Sequence, residues 1–244
     1  KQYVEFLNDL FNNRIDAETQ LPPWKGYDFR FYKDIDQMIT DINAFNAPGK
    51  CGLSRVVAGY GWEGVTKKAK MTNRKLIKSS PKTSWDIHIE GHDYFWNVEN
   101  GNFIFEADRD EIGCVHTVQG FDLNYVGEIF GPEIKYDSQK GFYLDRNKIY
   151  DSGVRTQDKA ELLELTLRAY KVMMERGIRG CYVYACDPSV QTYLAEHVPS
   201  VADAQSNLDI TITGCINKLT GLSISSGGRV VSDEISLRKE ELDG

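Results

Sequence analysis

Nowhere in the 244 residues does an apolar run approach the roughly 18 residues that a membrane-spanning helix needs, and no signal-peptide pattern follows Lys1. Cysteine is scarce and odd in number: Cys51, Cys114, Cys181, Cys186 and Cys215, at least three of them inside apolar runs. That usage does not fit a secreted disulfide framework, and a reducing, cytoplasmic setting with no membrane partner is expected. Positive charge is not in excess either. A formal net charge of -7 argues against a protein that coats nucleic acid by charge alone, while leaving room for a local basic groove. Internal repeats and low-complexity segments are also missing.

Several catalytic signatures are absent as well. No G-x-x-x-x-G-K-[ST] loop occurs: Gly49-Lys50 is followed by Cys51, with Ala44 where the first glycine would stand. Without a phosphate-cradling loop and its magnesium ligand, this chain alone is not expected to hydrolyse ATP appreciably. No G-x-S-x-G elbow is present, and the scattered cysteines and histidines show neither nucleophile nor zinc spacing.

What remains is a globular composition, 41% hydrophobic and 27% charged, enough to bury one large core or two small ones. The spacing of Tyr3, Val4, Phe6, Leu7 and Leu10 predicts an amphipathic helix over 3–11. It starts almost at the first residue with no capping residue ahead, so further sequence upstream is expected. Phe29 and Phe31 alternate with Arg30 and Tyr32 as in a strand, and Asp34 is placed to cap a helix carrying Ile35, Met38, Ile39, Ile42 and Phe45 up to Pro48-Gly49. A second β-rich segment, LSRVVAGY at 53–60, enters a loop containing Gly59, Trp62 and Gly64. Strand, helix, strand is the pattern of a parallel α/β layer.

The lysine-rich run 65–81 reads as a solvated loop, with a phosphate-facing surface as the alternative. Alternation over 85–97 predicts one strand that would put Asp86, His88, Glu90 and His92 on a common face. These are metal-ligand types, but their spacing matches no established motif, and a solvent-facing strand is the simpler reading. Phe103 and Phe105 continue the β character after an Asn100-Gly101 turn, giving a hairpin insertion.

The chain is organised around EIGCVHTVQGFDLNYVGEIFGPE at 111–133. A short apolar strand (Ile112, Cys114, Val115) runs through a polar turn (His116, Thr117, Gln119, Gly120, Asp122) into a second apolar segment (Val126, Ile129, Phe130) that stops at Gly131-Pro132. A loop that offers a hydroxyl, an amide and a bare glycine backbone beside a buried strand is where α/β proteins keep ligand chemistry.

Beyond it, 135–153 reads as an excursion over the surface. Asp158 and Glu161 start a helix that reaches Glu175, with one stripe of Leu162, Leu165, Ala169, Val172 and Met173 and a second of Leu163, Leu167, Tyr170 and Met174, so heavy burial is expected. Arg176-Gly177 ends it, the glycine suiting a left-handed cap. RGCYVYAC at 179–186 is a strand buried on both faces, and Asp187-Pro188 opens a helix to about His197. Past Pro199 the signal fades: Ile210 and Ile212 suggest a strand and 225–229 a turn. The expected organisation is a domain over 1–198 and an extension over 199–244.

Three segments, SRVVAGYGW (54–62), the 111–133 stretch and YKVMMERGIRGCYVYACD (170–187), resemble successive motifs of the Schlafen group-three-like DNA/RNA helicase domain. The resemblance spans about residues 1 to 195. It implies a RecA-like α/β fold, mainly parallel, forming the second of two halves of a superfamily-one type motor, with the upstream RecA-like half, and DNA or RNA, as partners. It implies that Thr117, Gln119, Gly120 and Asp122 sense nucleotide and couple it to nucleic acid, that Arg176 reaches the γ-phosphate, and that Arg55 is a second phosphate-contacting arginine. ATP and Mg2+ are then expected only together with the upstream half. The residue types suit those roles, since an arginine supplied from a second domain accelerates phosphoryl transfer by roughly three to five orders of magnitude. Gln119 can donate to a phosphate or water, and Gly120 lets backbone approach closely. His116 and Trp62 are candidates for nucleic-acid contact, Trp62 by stacking on a base. Simpler readings stand beside these: a cation in the last helical turn is favoured by the helix dipole, a polar turn needs no ligand, a tryptophan is commonly buried, and Asp187 is a helix cap.

The sequence therefore points to the C-terminal half of a nucleic-acid-dependent ATPase. A non-catalytic nucleotide- or nucleic-acid-binding module of the same fold is the alternative, and a metal nuclease built on Asp86, His88 and Glu90 a third reading.

Overall fold

The computed structural model describes residues 2–64, 85–97, 103–150 and 158–201. The lysine-rich run 65–81, the Asn100-Gly101 turn and the whole tail beyond 201, with Ile210, Ile212 and 225–229, lie outside the described residues.

Four strands form a wholly parallel sheet: β1 (Asp28–Phe31), β2 (Arg55–Ala58), β6 (Leu123–Phe130) and β9 (Gly177–Ala185), in the order β1-β9-β6-β2. The long central pair is in register from Tyr125 against Gly180 to Phe130 against Ala185. Alternation along each strand sorts the side chains to two faces. Phe29, Phe31, Val57, Val126, Phe130, Cys181, Val183 and Ala185 enter one core, while Val56, Ala58, Ile129, Tyr182 and Tyr184 enter the other. Burial on both faces is what an all-parallel sheet requires, and it shows the α/β fold class expected from the sequence.

The first core is closed by three helices. In α1 (Gln2–Phe11) the buried positions Tyr3, Phe6, Leu7, Leu10 and Phe11 fall on one stripe at helical spacing. In the later helix α4 (Lys159–Met174) the buried residues are Leu162, Tyr170, Met173 and Met174. The sequence reading expected both apolar stripes of that helix to be covered, but Leu165 and Val172 stay exposed, because only one side of the helix meets the sheet. α5 (Pro188–His197) adds Val190, Tyr193 and Leu194. Each buried side chain of this size stabilises by roughly 1.5–3 kcal/mol. The helix starts follow their caps: Asp158 accepts from the amide of Ala160 at 2.8 Å, and Asp187 from that of Ser189 at 2.9 Å, ahead of Pro188.

On the opposite face lies α2 (Ile35–Ala44), capped by Asp34 through the Gln37 amide at 2.9 Å. A small second sheet joins it there, built from β3 (Ile87–Ile89), β4 (His92–Trp96) and β5 (Glu111–Ile112). One strand was expected over 85–97. Instead the chain reverses at Glu90 and Gly91, both at positive φ (51° and 82°), and makes a tight hairpin. Phe103 and Phe105, expected in a strand, lie in the short helix α3 (Phe103–Glu106). The supposed surface excursion after 134 is a second hairpin, β7 (Ile134–Asp137) with β8 (Gly141–Leu144), whose Ile134 and Phe142 are buried; Tyr136 stacks on Tyr193 at 3.9 Å. Gly177 is not a left-handed cap. The helix closes on Glu175 in an ordinary helical conformation, and the glycine is needed because a Cβ there would sit 2.2 Å from the Gly180 carbonyl oxygen.

Among the described residues no helix is long and apolar enough to cross a membrane.

Candidate functional site

Parallel pairing puts the amino ends of β6 and β9 side by side, and this edge collects most of the candidate residues. The loop that leads to it leaves the sheet at Gly113, whose backbone pairs with Val56 and Ala58 of β2 at 2.9 and 3.0 Å. The Thr117 hydroxyl folds back on Cys114, accepting from its amide at 2.8 Å and donating to its carbonyl at 2.9 Å. Thr117 therefore shapes the loop instead of presenting its hydroxyl outward. Val118 is buried in the core beneath. Gln119, Gly120, Phe121 and Asp122 are exposed, and the turn depends on Gly120 at φ 82°.

The loop is then joined to the end of α4. The Leu123 amide donates to the Arg176 carbonyl at 2.8 Å, and Asp122 Oδ1 lies 3.8 Å from Arg176 Nη1. Arg176 Nε donates to the Val172 carbonyl at 3.3 Å. The Arg176 side chain keeps 27% of its surface exposed, and the Asp122 side chain 71%. An exposed pair at that separation holds the guanidinium weakly, at no more than about 1 kcal/mol. A polyanion that approaches this edge thus meets a cation fixed at its base and loosely held at its tip.

Two residues that the sequence reading passed over sit beside it. Asn124 donates to the carbonyls of Cys51 and Gly52 at 2.8 and 3.0 Å and accepts from Arg179 Nε at 2.8 Å. The second guanidinium on this edge is thereby tied to the 51–52 turn. The arginines that flank Gly177 in RGIRG were the only available signal, and it has no meaning until the register of β6 on β9 is known.

Other candidates are placed elsewhere. Arg55 is 9% exposed; its Nε donates to the Phe103 carbonyl at 3.1 Å and its Nη1 to the Ser54 carbonyl at 2.7 Å, so it braces α3 against β2. Trp62 is 8% exposed and packed in the second core, with no open face for a base. Burial removes both from the candidate set. His116 is exposed, its ring 6.2 Å from that of Tyr60, at the start of the loop and not among the residues next to Arg176.

No shared metal face forms from the 85–97 segment. Asp86 is buried and accepts from the Trp96 amide at 2.9 Å, His88 meets Asp93 across the hairpin at 2.5 Å, and His92 lies 3.8 Å from Asp36. Turning the predicted strand into a hairpin is what separates them. Among the described residues only Asp108, Asp110 and Glu111 bring three carboxylates within reach of one cation. The neighbouring Arg109 pairs with Asp36 of α2 at 2.6 Å.

At the other end of the sheet two carboxyls are buried without exposure, Glu128 in β6 and Glu133 just after it. The Tyr170 hydroxyl donates to Glu133 Oε1 at 2.6 Å and accepts from the Gly131 amide at 2.9 Å. Burial pushes the Glu133 carboxyl up to about 7, against hydrogen bonds from Tyr170 and from its own backbone amide and against the charge of Lys135. Glu128 is raised well above the carboxylate range by burial and by Glu133.

Residues 1–187 match the family described as Schlafen group 3, DNA/RNA helicase domain. A 130-residue segment is 34% identical to an uncharacterized protein of Saccharomyces cerevisiae, covering 43% of this chain and 28% of the yeast protein. No solved structure matches the chain.

Proposed function

The chain belongs to the Schlafen group 3, DNA/RNA helicase domain family, a helicase-type domain, and on that premise we propose that it is the C-terminal RecA-like half of a nucleic-acid-dependent ATPase. In this reading the triphosphate is gripped by the upstream RecA-like half of the same protein. The edge formed by Gln119, Gly120, Asp122 and Arg176 closes over it. The observation that carries the reading is the junction of the 117–122 loop with Arg176, through the 2.8 Å backbone bond and the 3.8 Å ion pair.

That junction suits the chemistry. Phosphoryl transfer depends on positioning and on positive charge near the γ-phosphate oxygens, and a second domain can bring both by closing. Arg176 stands at the end of a helix whose buried residues anchor it to the sheet, and the Tyr3 hydroxyl donates to the neighbouring Met174 carbonyl at 3.1 Å. Its base is thus rigid, while among the described residues its guanidinium is engaged by one exposed carboxylate and one carbonyl. A triphosphate carries more charge than Asp122 and would draw the guanidinium from it. Because Leu123 is bonded to the Arg176 backbone, a shift of the loop on contact with a strand is passed to the arginine. Arg179, tied to Asn124, adds a second cation for a phosphate of the nucleotide or of the strand.

The test is ATP turnover by the full-length protein in the presence of single-stranded nucleic acid. Arg176→Ala is expected to lower turnover by at least about tenfold, with nucleotide binding largely kept. Unchanged turnover in a protein that hydrolyses ATP would overturn the assignment of Arg176. Absence of any nucleic-acid-stimulated turnover in the unaltered protein would favour a binding module that retains the fold without the reaction.

A further inference from the structure

The carboxyl end of the sheet contains a buried group of acids that the reading above does not use. Glu128 follows Val126 and precedes Phe130 in the alternation of β6, so it points with them into the core beneath α4. Both of its oxygens, and Oε2 of Glu133, are buried with no hydrogen-bond partner among the described residues. An ionised carboxylate in that position would lack the donors that normally accompany burial.

The packing around Glu133 leaves no room for a solvated ion. A Cβ added at Gly61 would lie 2.0 Å from Glu133 Oε2, and one added at Gly131 would lie 2.1 Å from the same atom. A Cβ on Gly59 would lie 2.2 Å from the Tyr170 hydroxyl oxygen. The backbones of two turns, 59–62 after β2 and 131–133 after β6, thus press directly on the Glu133–Tyr170 pair. The ligand small enough for the open valence of these oxygens is a proton.

We propose that Glu128 and Glu133 form a proton-operated latch at the carboxyl end of the sheet. With protons on both, the 59–62 and 131–133 turns close on Tyr170; loss of a proton from the pair places an uncompensated charge between them and releases the turns. The groups facing the pair are Tyr170 from α4, Cys181 of β9 and Cys186 just beyond it, and Lys135 from β7, which is itself bonded to Asp187 at the start of α5. Burial opposes the ionised form of Glu133, while the Tyr170 hydroxyl, the residue's own backbone amide and Lys135 favour it. The balance places the release near neutral pH.

Hydrogen exchange of the backbone amides in 59–62 and 131–133, followed by mass spectrometry on the full chain and corrected for intrinsic exchange, tests the latch. Between about pH 6 and 8, exchange in both turns is expected to accelerate by at least roughly tenfold, the change that one pK unit of differential protonation produces. Glu133→Gln, which keeps the shape and cannot ionise, should flatten that profile. Tyr170→Phe removes the donor that favours the carboxylate and should move the acceleration to higher pH. A flat profile in the unaltered protein, an acceleration that survives Glu133→Gln, or a Tyr170→Phe profile that does not move would each overturn the proposal. The Tyr170→Phe comparison decides the matter even if Glu133→Gln does not fold.

Discussion

The two ends of the parallel sheet are built in opposite ways from similar residue types. At the amino end, Asp122 and Arg176 meet loosely at 3.8 Å, and a Cβ placed on Gly120, the glycine of the turn, would have nothing within 4 Å. At the carboxyl end, Glu133 is wholly buried, and Gly61 and Gly131 lie so close to it that an added methyl would overlap its oxygen. Ligands of open α/β sheets commonly sit outside the carboxyl ends of the strands. Here the carboxyl end around Glu133 is packed shut, and the loosely held cation and open backbone are on the amino edge. Residue type alone does not separate the two edges; exposure and loosely paired charge do.

Arg176→Ala set against Glu133→Gln puts this contrast to its most severe test. The first should cost at least about tenfold in nucleic-acid-stimulated ATP turnover with melting temperature little changed. The second should leave turnover within about threefold at neutral pH, because the protonated form is the one it mimics. A reversal of the two outcomes would exchange the roles assigned to the edges.

The next effect is on stability against pH. Glu133 has its folded value raised from 4.5 to about 7, so the folded state keeps a proton that the unfolded state loses. The sign follows from linkage: the contribution is fully present below about 4.5 and is lost as pH rises through 7. At about 1.4 kcal/mol per unit, the loss is at most about 3–4 kcal/mol. Chemical denaturation from pH 5 to pH 8 should show it, and Glu133→Gln should remove it.

Glycine substitutions separate the ends by steric means. Gly61→Ala has the Pro132 ring and a buried carboxyl in the way and should destabilise by about 1–3 kcal/mol or more in denaturant unfolding. Gly120→Ala meets open space and should cost only the left-handed backbone term, about 1 kcal/mol. Equal losses at the two sites would mean that the carboxyl end is less tightly packed than these distances imply. The smallest expected change is Asp158→Ala, which removes one N-cap bond at the solvent-exposed start of α4 and should cost about 0.5–1 kcal/mol at both ends alike.

Much of the fold was legible in the chain. Buried positions at helical spacing located α1 and α2, the Asp34, Asp158 and Asp187 caps located three helix starts, and the unbroken apolar run 181–186 marked a strand buried on both faces. The failures share a cause. Alternation over 85–97 looked like one strand because each arm alternates by itself, but the two-residue turn at Glu90 and Gly91 shifts the parity, so that Ile87 pairs with Tyr94 and Ile89 with His92. Phe103 and Phe105 took helical form because Phe103 packs against the bare Gly113 and its carbonyl holds Arg55, contacts made far along the chain. Of the candidate site, the central motif and Arg176 stood out in the sequence, whereas Asn124 and Arg179 became visible only with strand register.

The sequence by itself determined the long helices, the strands of the parallel sheet and the loop that carries the polar groups, because these depend on periodicity and on capping within a few residues. Only the tertiary structure decided which charged side chains are ionic surfaces and which are buried. Arg55 and Arg176 are both arginines beside a sheet, yet one is enclosed by carbonyls and the other stands at an open edge. Glu133 and Asp122 are both acids in loops, yet one holds a proton near neutrality and the other faces a cation in solvent. Desolvation separates them, and desolvation is a property of neighbours that are distant in the chain.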